Sequence, residues 1–238
     1  MTDEPVFSRP VNSDPVKFST RTVPERRVLT GSAVQLEPLD PVRHGDALYR
    51  AGHDGVAALR SWEYLPWGPF PTEDAMSEQL RNFAAAPDLV YFAICDRATG
   101  EAFGKATYLD IHPEAGVIEI GGIWFAPAYQ RTRAATEAMF LMLAYAMDDL
   151  GYRRMQWRCN ARNAKSRAAA RRLGFRFEGI WFNHMIVKGL NRDTAWYSIL
   201  DTEWPALRAS FHAWLDDANF DAAGNQERSL SSMTAGVR

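Results

Sequence analysis

Cysteine is nearly missing. Cys95 and Cys159 are all that the 238 residues hold. One bridge between them is open in principle, but this is no disulfide scaffold, and a reduced compartment suits it better. Long apolar runs are missing too. The longest, Ala138–Met147, falls far short of the roughly 20 residues that a membrane helix requires. The opening MTDEPVFSRP has early acids and no apolar stretch, so no secretory signal is read. Excess charge of either sign is missing, with 27 Lys+Arg against 29 Asp+Glu and a net charge of −2. That balance speaks against a nucleic-acid or membrane-surface binder unless the basic residues are concentrated somewhere. Neither a phosphate-binding Walker loop nor a G-x-G-x-x-G turn occurs, which leaves nucleoside triphosphate and dinucleotide readings without their signature. His44, His53, His112, His184 and His212 are scattered with no His-x-x-x-His pair, so no metal site is expected. What remains is the expectation of a cytoplasmic globular protein with neither membrane nor nucleic-acid partners.

What is present is 47% hydrophobic residues, enough for one large core. Pro5, Pro10, Pro15 and Pro24 mark residues 1–30 as an arm, loose or wrapped on the domain. Residues 31–219 make the domain. The Ser-, Gly-, Ala- and Asn-rich stretch at 220–238 is expected to be disordered. Within the domain, strands are expected at 34–36, 89–96, 102–111, 116–125, 155–159, 175–187 and 194–200. Helices are expected at 41–53, 72–86, 134–150, 163–173 and 204–215. Asp40-Pro41 reads as an N-cap followed by proline at the first helical position, and Gly151 and Gly174 read as helix stops. Residues 188–193 read as a turn. Antiparallel strands followed by β-α-β-α-β imply one α/β domain with a mixed, mostly antiparallel sheet and flanking helices. The crossover around 117–159 makes a parallel pair, with a helix N-terminus at the carboxyl end of a strand.

Two segments carry the chemistry. At Glu119–Ala138 a strand enters a proline-marked loop and then a helix. Free amides and the positive dipole end at Gln130, Arg131, Thr132, Arg133, Ala134 and Ala135 suit an anion, and the two arginines add charge; an ordinary solvated helix start fits as well. Residues 151–176 then bring nine basic residues and no acidic one, leaving the other 212 residues at −11. A solvated face normally mixes signs, so the 163–173 helix is expected to present a dense positive field to a small, locally held polyanion.

These pieces resemble the GNAT superfamily of N-acetyltransferases, in its branch similar to the ribosomal-protein acetyltransferases RimJ and RimL. The resemblance spans roughly residues 30–205. It is carried by Glu119-Ile120-Gly121, Gln130–Ala135 with Thr136-Glu137-Ala138, Asn163-Ala164-Lys165-Ser166, Leu173-Gly174-Phe175 and Lys188…Arg192-Asp193. It implies a GNAT-like sheet splayed into a V between the strands ending near Phe125 and Cys159, with acetyl-CoA in the opening as acyl donor. The pyrophosphate would rest on the 131–135 amides. The Ile123, Trp124 and Phe125 backbone would bind the pantetheine like an added strand and polarise the thioester. Arg167 or Arg171 would meet the remaining phosphate, and Asn163 would order CoA or a water, or cap its helix.

Glu119 matches the family's acidic position and would act as base for a primary amine, small or peptidic; pairing with an arginine in the sheet is the plain alternative. Arg131 and Arg133 stand where the family commonly has glycine. Ala170 stands where many members have the tyrosine that protonates the CoA thiolate, and Ser166 is the nearest substitute. Those two departures support an alternative, a non-catalytic CoA-binding protein on the same fold. Trp62, Tyr64, Trp67 and Phe70 fall on the substrate-side loop and would line the acceptor site, with His112 and His184, or else belong to the core. The resemblance also leaves room for a homodimer.

Overall fold

The computed structural model describes residues 18–237; the first half of the arm lies outside them. Eight strands form one sheet: β1 (Leu29–Thr30), β2 (Val34–Pro38), β3 (Val90–Asp96), β4 (Ala102–His112), β5 (Val117–Phe125), β6 (Arg154–Asn160), β7 (Arg176–Val187) and β8 (Leu190–Leu200). Their order is β1-β2-β3-β4-β5-β6-β8-β7. Every pairing is antiparallel except β5 with β6. That parallel pairing covers only Val117–Glu119 against Arg154–Gln156. Beyond Glu119 the two strands part, and the V expected from the sequence opens there.

Helices α1 (Pro41–His53), α2 (Val56–Arg60) and α3 (Glu73–Ala85) lie on one face. Their contacts with the sheet are aromatic: Trp62, after α2, stacks on Trp124 of β5 at 4.8 Å, and Phe83 stacks on Tyr91 of β3 at 4.4 Å. Helix α4 (Arg133–Ala144) takes the other face, where the Tyr108 hydroxyl of β4 donates to the Met142 carbonyl. It is followed by α5 (Ala164–Arg172) and α6 (Trp204–Leu215). Asp40 caps α1 by accepting from the Val42 and Arg43 amides, as the Asp-Pro pair predicts. The expected 134–150 helix changes to a wider turn at Tyr145–Asp149 before Gly151 ends it with φ +68°.

The C-terminal segment differs from its expectation of disorder. Helix α7 (Leu230–Thr234) packs with fully buried Leu230 and near-buried Thr234. Trp214 of α6 donates to Gln226, Asn219 exchanges hydrogen bonds with Arg228, and Thr234 donates to the Arg172 carbonyl. A low apolar content conceals side chains that satisfy the ends of α5 and α6, which composition alone does not reveal. The described part of the arm wraps the domain: Glu25 N donates to the Tyr145 hydroxyl, and the Tyr152 hydroxyl donates to Thr22 O. Both cysteines are free and buried. No helix among the described residues is long and apolar enough to cross a membrane.

Candidate active site

The apex of the V is built by register. Leu109 of β4 faces Glu119, and Thr107 faces Gly121. The next pairing is Lys105 with Trp124, so β5 carries one extra residue there, a bulge. Gly122 sits in it at φ +57°, where a Cβ would approach the Tyr91 hydroxyl at 3.0 Å. Glu119 thus points to the α1–α3 face at the point where β5 loses its β6 neighbour. It is 1% exposed. Arg158 of β6 contacts it, with Nε 2.9 Å from Oε2, and also pairs with Asp110 at 2.7 Å. The contact with Glu119 is an ion pair without hydrogen-bond alignment, so Oε2 has no hydrogen-bond partner. Burial drives the Glu119 pKa up to about 8; Arg158 opposes the rise, Asp110 adds to it, and Arg192 opposes it weakly.

Strand β8 extends this face further than expected. The β7–β8 connection is a tight two-residue turn at Lys188-Gly189, both with positive φ and flanked by paired Val187 and Leu190. Arg192 therefore belongs to a strand and not to the expected 188–193 turn. It alternates in step with Thr194, Trp196 and Ser198. Trp196 is paired with Arg158 and Thr194 with Asn160, so all four share the face of Glu119. His184 bonds to Thr194 at 3.0 Å. Beside them a groove of about 340 Å³ is lined by Asp110, His112, Gln156, Gly179, Trp181 and Trp196, among others.

Lys105 is a member of this face that sequence reasoning missed. It is 1% exposed, lies 3.7 Å from the Trp67 ring centroid, and donates to the Gly122 carbonyl at 3.2 Å. Burial holds its pKa well below the ordinary lysine range. Burial disfavours its charged form, and no acid among the described residues pairs with it to offset that. Its visible work is to tie β4 to the β5 bulge.

The opposite side of the V carries the loop. Arg131 has φ +66°, the left-handed conformation for which glycine is the usual choice. The loop makes the glycine-type turn with arginine, at a cost of about 1 kcal/mol. Thr132 caps α4 by accepting from Ala135 N at 3.2 Å, leaving the Arg133 and Ala134 amides, which lack intrahelical acceptors. Gln130 donates to the Phe125 carbonyl at 3.1 Å and clasps the loop to β5. Arg133, expected to charge the cradle, turns its side chain away to the Leu215 carbonyl and Asp217; only its amide faces the loop. Arg172 stands in its place. It donates to Thr136 of α4 at 3.0 Å, is mostly buried, and lies near enough to Arg131 for repulsion to add to the burial that lowers its pKa.

The expected dense positive face of α5 holds in part, with Lys165 exposed. Arg167 is committed to the Tyr197 hydroxyl and the Ala161 carbonyl, while Arg171 remains exposed. Arg154 pairs with Glu178 and Arg176 with Glu203. These acids lie outside the basic segment in sequence, so a local charge count could not include them. Asn163 caps α5 by accepting from Ser166 N at 3.0 Å. Ser166 accepts from Trp157 at 3.1 Å. Ala170 is fully buried. Of the aromatic loop, Trp62 is core: it donates to Gly52 O and lies edge-on to Phe70. One further group looks capable of holding a metal, Glu37, His44 and Cys95. Its donors are already engaged, since His44 Nδ1 accepts from Asp40 N, Glu37 takes both Arg43 and His44, and burial pushes the Cys95 thiol up to about 12.

A splayed parallel pair, an acid at its apex and an amide-bearing helix start define an acetyltransferase architecture, and sequence comparison agrees. Residues 36–176 match the family model described as Acetyltransferase (GNAT) domain; the chain belongs to that family and is an N-acetyltransferase. A crystal structure of a GCN5-related N-acetyltransferase from Brucella melitensis superimposes with a TM-score of 0.89 and 44% identity, over 92% of this chain and 99% of that one. The Bacillus subtilis protein "Uncharacterized N-acetyltransferase YnaD" is 29% identical over 66% of this chain and 89% of its own length. A second B. subtilis relative, "Putative ribosomal N-acetyltransferase YdaF", is 32% identical over 35% of this chain. The chain matches only 45% of YdaF's length. The family generally uses acetyl-CoA, and the YdaF relationship agrees with the RimJ/RimL-like branch.

Proposed function

We propose that this enzyme moves the acetyl group of acetyl-CoA to a primary amine by direct attack in a ternary complex. The observation that carries the reading is Glu119: a buried carboxyl at the apex of the V, with one oxygen unsatisfied and a pKa near 8. In its ionised form it takes the proton from the incoming ammonium. The freed nitrogen attacks the thioester carbonyl, the C–N bond forms, the C–S bond breaks and CoA leaves as thiolate. The second proton leaves the acylated nitrogen and passes to the sulfur, relayed by water or Ser166, which gives the neutral amide and the CoA thiol. Donor binding is assigned to the Arg133 and Ala134 amides for the pyrophosphate, Arg131 and Arg172 for charge, and the unpaired edge of Ile123, Trp124 and Phe125 for the pantetheine. A thiol-trapping assay of CoA release with a panel of amines tests the reading. Release that depends on an amine and drops in Glu119→Gln supports it; thermal stabilisation by acetyl-CoA with no turnover on any amine replaces it with a CoA-binding protein.

A further inference from the structure

Among the described residues, four buried side-chain polar atoms lack any hydrogen-bond partner, and three share the acceptor face: Glu119 Oε2, Arg192 Nε and Trp196 Nε1. Orphaned buried polar atoms are rare in folded proteins, and three on one face call for a common cause. Their chemistry is complementary to one kind of molecule. Glu119 Oε2 has only the poorly aligned Arg158 Nε and can take a better donor, whereas Arg192 and Trp196 each lack an acceptor. Arg192 also forms no ion pair among the described residues, unlike Arg154, Arg158 and Arg176, which are matched by acids. Its guanidinium is therefore half-buried beside a second one, Arg158, with no carboxylate of its own. Arg158 is matched by Asp110 and Glu119, so the charge left without an acid at ion-pair distance is that of Arg192, and burying it is costly unless an anion joins it.

We infer that the acceptor carries a carboxylate close to its amine, as an α-amino acid does, with the carboxylate received by Arg192 and the Trp196 indole N–H while the amine meets Glu119. The inference rests on the acetyl-transfer reading and narrows its acceptor. A guanidinium binds a carboxylate through paired N–H donors, and the ammonium is a better-aligned donor to Glu119 than Arg158 is. A polyamine or aminoglycoside would bring positive charge to Arg158 and Arg192 and leave both orphaned donors unsatisfied. The side chain of such an acceptor would lie in the groove walled by Trp181 and Trp196.

The test uses the full chain with acetyl-CoA and compares the L-α-amino acids with their α-carboxamides and with spermidine. CoA release is followed alongside calorimetric binding in the presence of CoA. The expected result is that the preferred acid exceeds its carboxamide by about tenfold or more in kcat/KM. Arg192→Gln should raise KM for the acid by a similar factor, with a smaller change in kcat, and erase the preference. Arg192→Lys should restore part of it, and Trp196→Phe should weaken it by a few-fold. Carboxamides or spermidine acetylated as well as the acids overturn the inference while the acetyl-transfer reading stands. Acids that bind through Arg192 but yield no CoA keep the subsite and overturn acetyl transfer. No binding and no release with any acid overturns the inference, and no release with any of the amines, carboxamides and spermidine included, overturns acetyl transfer as well.

Discussion

Glu119 and Glu137 are both buried glutamates, one at the apex of the V and one in α4, and their surroundings differ in kind. Glu137 accepts from the Ser32 amide and hydroxyl at 2.7 and 2.6 Å, from Ala33 N at 2.8 Å and from Val34 N at 3.1 Å. Gly31 lies against it so closely that a Cβ there would come within 2.6 Å of the carboxyl carbon. Glu119 has one unaligned arginine and an orphaned oxygen. Burial is common to the two; saturation is not. A saturated buried acid welds β2 to α4, whereas an unsaturated one is poised for a proton from elsewhere.

The largest expected effect breaks the weld. Glu137→Ala leaves three backbone amides of the β1–β2 loop without their acceptor, at about 3 kcal/mol or more. For a domain of this size the melting temperature should fall by roughly 6–12 °C, measured by calorimetry. The folded fraction should keep the pH limb of catalysis that belongs to Glu119. If stability is unchanged, Glu137 is not the weld.

Glu119→Gln should do the reverse. Loss of the base should lower kcat/KM by about 10²- to 10⁴-fold, and the rise of the wild-type rate through pH about 8 should vanish from what remains. Stability should move the other way. With its folded pKa raised by burial, native Glu119 holds its proton between the ordinary carboxylate range and pH about 8 while the unfolded chain has lost it. Wild-type stability therefore falls as pH rises through that window, by an amount on the order of a few kcal/mol. Melting curves of both proteins without ligands, from pH 4 to 9, should diverge with the variant the more stable at high pH. Parallel curves would show that Glu119 is not held protonated.

The contrast also shows what the sequence could and could not reveal. Elements with local signals were legible: α1 begins at Pro41 behind its Asp40 cap and α6 spans Trp204–Leu215, both at the expected residues. Glu119 was legible because a motif marked it. Saturation was not, because the donors to Glu137 are more than a hundred residues away. Shorter but still non-local separations hid the acids that pair with Arg154 and Arg158, and the tail that caps α5 and α6. Arg192 was hidden differently: a tight turn at Lys188-Gly189 resembles the start of a longer one, and only strand pairing gives Arg192 a face.

Lys105 extends the comparison to a base. Its folded pKa is depressed by burial, so between that pKa and the ordinary lysine range the unfolded chain binds the extra proton and stability should rise with pH. Lys105→Met should therefore stabilise the protein at pH 7, and by less at pH 10, in melting curves at the two pH values. It also unties the Gly122 carbonyl, so KM for acetyl-CoA should rise by a few-fold. A loss of stability at pH 7 would mean that the tie to the bulge outweighs the desolvated amine.

Ser166 sits between the two glutamates in kind, a part-satisfied hydroxyl at the start of α5 beside β6. It accepts the Trp157 indole N–H, so Ser166→Ala strands that donor and should cost about 1 kcal/mol. The catalytic effect should be the smallest of the series. A thiolate leaving group can take its proton from water, so kcat should fall less than about tenfold. The two effects separate by a second variant: Ser166→Thr keeps an oxygen for Trp157 and a proton for the sulfur. If Thr restores both stability and kcat, the hydroxyl protonates the thiolate as Ala170 cannot. If it restores stability while kcat is unchanged across Ser, Ala and Thr, water does that work and Ser166 only supports Trp157.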